Sequence, residues 1–78
     1  MTYGICNLSI IPLRAEAADT SELVSQILYG EIFKVLEVRS KWSRIRLAFD
    51  SYEGWVDNKQ FAPLLEEEYN GLHLSLIH

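Results

Sequence analysis

The 78-residue chain has one cysteine, two prolines and no apolar run long enough to span a membrane. A lone Cys6 cannot close an internal disulfide, and without CxxC or Cys/His spacing it offers no zinc site, so stability has to come from packing. The segment after Met1, TYGICNLSII, has no basic start and no stretch of about 18 apolar residues, which predicts neither a signal peptide nor a membrane anchor. The expected location is therefore cytoplasmic, with the cell envelope as the alternative if a leader has been removed. Cations are also in short supply. Seven Lys and Arg against eleven Asp and Glu leave a net charge of -4, and phosphate binding depends on neutralising cations, so nucleic acid is not the expected partner.

What is present is ordinary globular material, 49% hydrophobic and 23% charged. A chain of this length makes one domain and buries only about 60% of its unfolded surface, which leaves no spare core for a deep catalytic cleft. No cofactor is expected.

The clearest local signal is a pair of short segments, KWSRIRLAF and YEGWVD, separated by Asp50 and Ser51. Each alternates apolar with polar residues around a tryptophan, and two turn formers lie between them, the pattern of a β-hairpin. In the first, Ser43, Ile45 and Leu47 share one face and Trp42, Arg44 and Arg46 the other. In the second, Gly54 and Val56 face away from Glu53, Trp55 and Asp57, and Gly54 permits a bulge or a close strand approach.

Upstream, Tyr3 to Leu8 reads as a first strand, and Ile10 to Leu13 as an apolar patch in which Pro12 favours an edge or bend. Arg14 to Glu22 is polar and reads as a long surface loop, with a short alanine-rich helix as the competing reading. Leu23 to Tyr29 reads as a strand ending at a sharp turn on Gly30. In Ile32 to Arg39, Phe33 and Val35 share a face with Glu37, while Ile32, Lys34, Leu36 and Val38 share the other, so the strand should be covered on both sides. Asn58 to Gln60 forms a turn, or one turn of 3₁₀ helix, before a last strand at Phe61 to Leu64. Glu66 to Glu68 then read as a solvated connector. The alternating Leu72, Leu74 and Leu76 suggest a further strand, a route to pairing with a second copy, or the start of a missing domain.

The order of these elements from about Ile11 to Leu64 resembles the bacterial SH3 domain. The stretches LRAEA, VSQ and GWVDNKQ resemble the N-terminal SH3 domain of NlpC-type cysteine peptidases, which cut cell-wall peptides between γ-D-glutamyl and diamino-acid residues. The resemblance implies an all-β fold, a small SH3-like barrel of five or six strands over residues 1–65, with a long loop in its first half and a C-terminal extension over residues 66–78. Val24, Ile27, Phe33, Val35, Ile45, Leu47, Val56 and Phe61 form its expected core. The catalytic Cys and His of those peptidases belong to a separate domain that this sequence does not contain, so no catalytic residue is assigned. What the resemblance implies instead is an accessory role, either recognition of a peptidoglycan-derived peptide or glycan, or docking on a peptidase catalytic domain.

Candidate binding residues are Trp42, Arg44, Tyr52, Trp55 and Tyr29. Flat aromatic rings can stack on sugar or extended peptide at low entropic cost, although the same tryptophans can serve simply as barrel cover. Arg44 and Arg46, with Arg39 and Lys41 nearby, can grip a carboxylate or pair across the hairpin with Glu53 or Asp57. Glu16, Asp19 and Glu22 could meet an amino group, or could be the solvated side of a loop. A Cys6 nucleophile with His73 or His78 as base would need an accessible, low-pKa thiol, and an apolar strand predicts a buried, inert one instead.

Overall fold

A computed structural model describes residues 2–18, 21–48 and 51–76, apart from the side chains of residues 75 and 76. Among these, seven strands precede one helix: β1 (Thr2–Ile5), β2 (Ile10–Arg14), β3 (Leu23–Leu28), β4 (Ile32–Val38), β5 (Trp42–Leu47), β6 (Glu53–Asp57), β7 (Ala62–Leu64) and α1 (Glu66–Leu76). The strands form one antiparallel sheet in the order β3-β2-β6-β5-β4-β1-β7. The all-β, SH3-like architecture is as expected, with seven strands rather than five or six.

The sheet curls because one face of five consecutive strands is apolar and has only itself to pack against. Ile11 and Leu13 of β2, Ile27 of β3, Phe33 and Val35 of β4, Ile45 and Leu47 of β5 and Val56 of β6 form a single buried cluster with Cys6. Val24 and Phe61 pack against it, and Phe61 meets Phe33 edge-on with ring centroids 5.2 Å apart. Six of the eight expected core residues belong to this cluster and the other two, Val24 and Phe61, flank it partly buried, while Cys6, Ile11 and Leu13 join the core. In β5 the predicted alternation holds: Ser43, Ile45 and Leu47 are buried, and Arg44 and Arg46 are exposed.

Two glycines shape the curl. Gly54 of β6 lies so close to β2 that a Cβ there would sit 2.7 Å from Leu13 Cγ and 2.8 Å from the Arg14 carbonyl oxygen. Gly30 turns the chain between β3 and β4 with φ of 86°, a left-handed conformation that side chains resist. Pro12 lies within β2 opposite Gln26 of β3, and β2 reaches β6 only through Arg14 and Trp55, so the missing donor leaves no gap in the ladder.

Several expectations are corrected. β1 ends at Ile5 rather than Leu8, because the Cys6 N–H donates to the Glu31 carbonyl and its thiol reaches the Leu8 carbonyl at 3.1 Å as the chain bends away. A bulge between Val35 and Glu37 turns Glu37 to the outer face opposite Arg44, away from the face shared by Phe33 and Val35. Asn58 to Gln60, by contrast, is the turn expected, without its 3₁₀ alternative.

The largest correction is the tail, where the expected connector and strand are a helix. Three acidic residues in its first turn suit the positive end of the helix dipole, and the Glu68 carboxylate accepts the Leu65 N–H at 3.1 Å, half of a capping box. Helical spacing brings Tyr69 and His73 onto one side. Tyr69 is buried on Tyr3 with ring centroids 4.3 Å apart, both belong to a second cluster with Ile32, and His73 meets Tyr69 edge-on at 5.7 Å. This helix supplies the cover that the doubly apolar start of β4 requires.

The glycines give a direct test. Gly54→Ala should lower stability by about 1–3 kcal/mol because the added methyl collides with backbone as well as side chain. Gly71→Ala in α1 meets nothing within 4 Å and should raise it by about 0.5–1 kcal/mol in urea denaturation.

A second test is alkaline. Burial pushes the Cys6 thiol up from 9.0, outweighing the hydrogen bond to Leu8, with the Glu31 carboxylate adding to the rise. Burial, with Tyr3 adding, pushes Tyr69 up from 10.0. Both folded-state values lie above the unfolded ones, so this stability is complete below about pH 9 and is lost as pH rises through the folded values. The urea midpoint should therefore be level near neutrality and fall above pH 9, and Cys6→Ala should remove the earlier part of that slope.

Candidate functional site

The β5–β6 hairpin closes with the Leu47 N–H donating to the Tyr52 carbonyl at 2.9 Å, and Ser51 takes a left-handed φ of 55° in the turn. Its register sets Trp42 opposite Asp57, Arg44 opposite Trp55 and Arg46 opposite Glu53, all on the outer face because their neighbours fill the core. Arg46 gives Nε and Nη2 to one Glu53 oxygen at 3.0 and 2.8 Å. Arg44 lies 3.9 Å from both Glu37 and Glu53, and Arg39 lies 2.9 Å from Glu37. These exposed pairs each contribute less than about 1 kcal/mol, yet they decide which cations are already engaged. Arg46 is the most committed. Among the described residues Asp57 makes no ion pair, and it accepts the Lys59 N–H at 2.8 Å.

Beside this ladder lies a shallow groove of about 390 Å³ lined by Glu16, Ala17, Ala18, Arg39 and Trp55. Its aromatic wall is organised by Arg39, whose guanidinium carbon stands 4.5 Å from the centre of the Trp55 ring. The loop that forms the opposite wall is tied across its mouth. The Ala15 N–H donates to the Glu22 carbonyl, the Glu16 N–H to Ser21 Oγ, and Arg14 Nη1 to the Ser21 carbonyl. Arg14 ends β2, and the described residues from Ala15 to Glu22 are a loop, not a helix.

Arg39 is placed by the β4–β5 turn, and that turn is held by Asn58. The Asn58 N–H donates to the Lys41 carbonyl at 2.9 Å, its amide donates to the Arg39 carbonyl at 2.9 Å, and its side-chain oxygen accepts the hydroxyl of buried Ser43. The Arg39 N–H also donates to the Trp42 carbonyl at 2.8 Å. The groove thus offers a ring face, a carboxylate and a guanidinium on pinned walls, a combination able to hold a short polar chain.

Of the five candidates, the fold gathers Trp42, Arg44 and Trp55, which are opposite or diagonal neighbours on the hairpin. Both tryptophans are half-buried, so each combines cover with an available surface. Tyr52 is exposed at the other end of β6. Tyr29 is exposed in the β3–β4 turn next to Leu28, which faces Ile10, whereas Trp55 faces Arg14, four residues along β2 and about 13 Å away at 3.3 Å per residue. Tyr29 therefore lies apart from the groove. Asp19, Asp50 and His78 lie outside the described residues.

Cys6 is buried, its thiol pushed up by burial, the reverse of what a nucleophile needs. Among the described residues, no three His, Cys, Asp or Glu side chains gather as a metal site, and no helix is long and apolar enough to cross a membrane. Reasoning from sequence placed Glu16 and Arg39 in separate charge groups and passed over Asn58, whose role depends on contacts 15 to 19 residues away.

Removing Arg39 should uncover the Trp55 ring. In a Trp42→Phe background, Arg39→Ala should shift the remaining emission to the red. Asn58→Ala should lower stability by about 1–3 kcal/mol by orphaning its partners, and should reproduce that shift.

A family model described as the bacterial dipeptidyl-peptidase SH3 domain matches residues 13–61, more than half of the chain. The match includes the groove and the hairpin, and leaves out β1 and α1. None of the curated proteins compared matches.

Proposed function

The chain belongs to the bacterial dipeptidyl-peptidase SH3 domain family, and from that premise we propose that it recognises a short cell-wall peptide on behalf of a peptidase. SH3 domains of this family are non-catalytic accessory modules, and the buried Cys6 agrees with that role. The observation that carries the proposal is the groove that Glu16 and the Arg39-capped Trp55 line together. Peptidoglycan stem peptides carry amino and carboxylate groups on a short extended backbone. Glu16 suits the amine, Arg39 with neighbouring Arg44 suits a carboxylate, and Trp55 with Trp42 supplies flat surface. An NlpC-type peptidase that cuts γ-D-glutamyl-diamino acid bonds is the catalytic partner we favour.

A second reading, docking on a peptidase domain or on another copy without a ligand, draws on a different face. Ile10 and Leu28 lie opposite each other and half-exposed on the β2–β3 hairpin, with exposed Leu8 and Tyr29 alongside. β3 is an edge strand of the sheet.

Titration of ¹⁵N-labelled protein with a muramyl tripeptide distinguishes the two. Shifts should cluster at Glu16 to Ala18, Arg39, Arg44 and Trp55, and Trp55→Ala should weaken binding at least about tenfold, the loss of one stacking or cation-π contact. No perturbation of the groove at millimolar peptide, together with concentration-dependent sedimentation that Leu28→Ser abolishes, would favour docking instead.

A further inference from the structure

A second, smaller cleft of about 220 Å³ lies on the other side of the β4–β5 turn, lined by Ser40, Lys41, Asp57, Asn58 and Lys59. Its charge is set by which cations are unengaged. Arg39, Arg44 and Arg46 have carboxylate partners, and Arg14 donates to the Ser21 carbonyl. Among the described residues, Lys34, Lys41 and Lys59 have no ion pair, and two of these three line this one cleft. In a chain of net charge -4, that is a local excess of positive charge.

The two lysines sit on different loops, but the loops are tied together. Asn58 holds the first by accepting Ser43 and by donating to the Arg39 and Lys41 carbonyls, and the second is closed by the Lys59 N–H on Asp57 Oδ1 and the Gln60 N–H on the Asp57 carbonyl. The opposing charge in the cleft is Asp57, so the lining carries two lysines and one carboxylate. The Ser40 hydroxyl and the lysines are left to donate.

We propose that this cleft is an anion subsite that takes a carboxylate of the bound peptide. The proposal deepens the function argued above and rests on it for the class of ligand. The turn Arg39, Ser40, Lys41 contributes walls to both clefts, with Arg39 on the Trp55 side and Ser40 and Lys41 on the other. A peptide crossing that turn lays its backbone along Trp55 and its carboxylate between Lys41 and Lys59. Charge-assisted hydrogen bonds are stronger than neutral ones, so the site should favour a free carboxylate over its amide.

The test is a heteronuclear NMR titration of the full chain with trialanine and with its C-terminal amide. The acid should bind at least about tenfold more tightly, with shifts at Ser40, Lys41, Asn58 and Lys59, and the preference should weaken with added salt. In the exposed double variant Lys41→Gln/Lys59→Gln, acid and amide should bind alike while shifts at Trp55 persist. Equal affinities in the parent protein, or a preference that survives in the double variant, would overturn the subsite. Shifts at Glu16 to Ala18, Arg39 and Trp55 alone would overturn it too and leave the peptide groove standing. Shifts at Lys41 and Lys59 alone would keep the subsite and remove the groove, and silence at both clefts at 20 mM, on the order of the weakest useful affinity, would overturn both.

Discussion

The close approach of β6 to β2 at Gly54 is the constraint on which the molecule depends. With no side chain there, the backbone of β6 closes against Leu13 and the Arg14 carbonyl, and the inner faces of β2 to β6 meet in one core. A flat sheet would leave Ile11, Ile45 and Val56 in water, at roughly 1.5–3 kcal/mol for each large side chain. The same contact brings Arg14 beside Trp55, so the loop that follows β2 runs past the Trp55 ring. Core closure and groove formation are one event.

The polar architecture follows from that geometry. Outward residues of β4, β5 and β6 form a charge ladder in which Glu37 and Glu53 engage Arg39, Arg44 and Arg46. Such pairs stabilise little, but they hold arginines in place, and among the described residues Lys41 and Lys59 have no ion pair. Asn58 connects this surface to the interior through buried Ser43, so the turn that carries Arg39 is tied to the core. Recognition surfaces gain from such support, since ordering a wall in advance removes an entropic cost of binding.

β1 and α1 lie outside the family match, yet they pack on each other through the Tyr3–Tyr69 stack and cover Ile32. They complete the outer side of β4, and none of their described residues lines the groove. The exposed Ile10, Leu28 and Tyr29 near the sheet edge lie elsewhere again, so cover, binding groove and apolar edge occupy separate regions.

Much of this fold was legible in the order of residues. Strict alternation in Trp42 to Leu47 and the two tryptophan-bearing segments specified the hairpin and the inward Ile45 face, because period-two patterning is a local consequence of strand geometry, whereas the register, with Arg46 opposite Glu53, was set by the turn. Gly30 announced its turn in the same way. The tail misled because Leu72, Leu74 and Leu76 alternate like a strand, while the contact that holds the helix, the landing of Tyr69 on Tyr3, joins residues 66 positions apart. The Glu37 flip depended on a bulge that no spacing reveals. For the site, chemistry-bearing residues could be named in advance, but not which of them meet. Trp55, Arg39 and Glu16 become neighbours only when β2 and β6 close, and the two lysines share a cleft only through Asn58, because such contacts arise from chain segments that local patterning cannot relate.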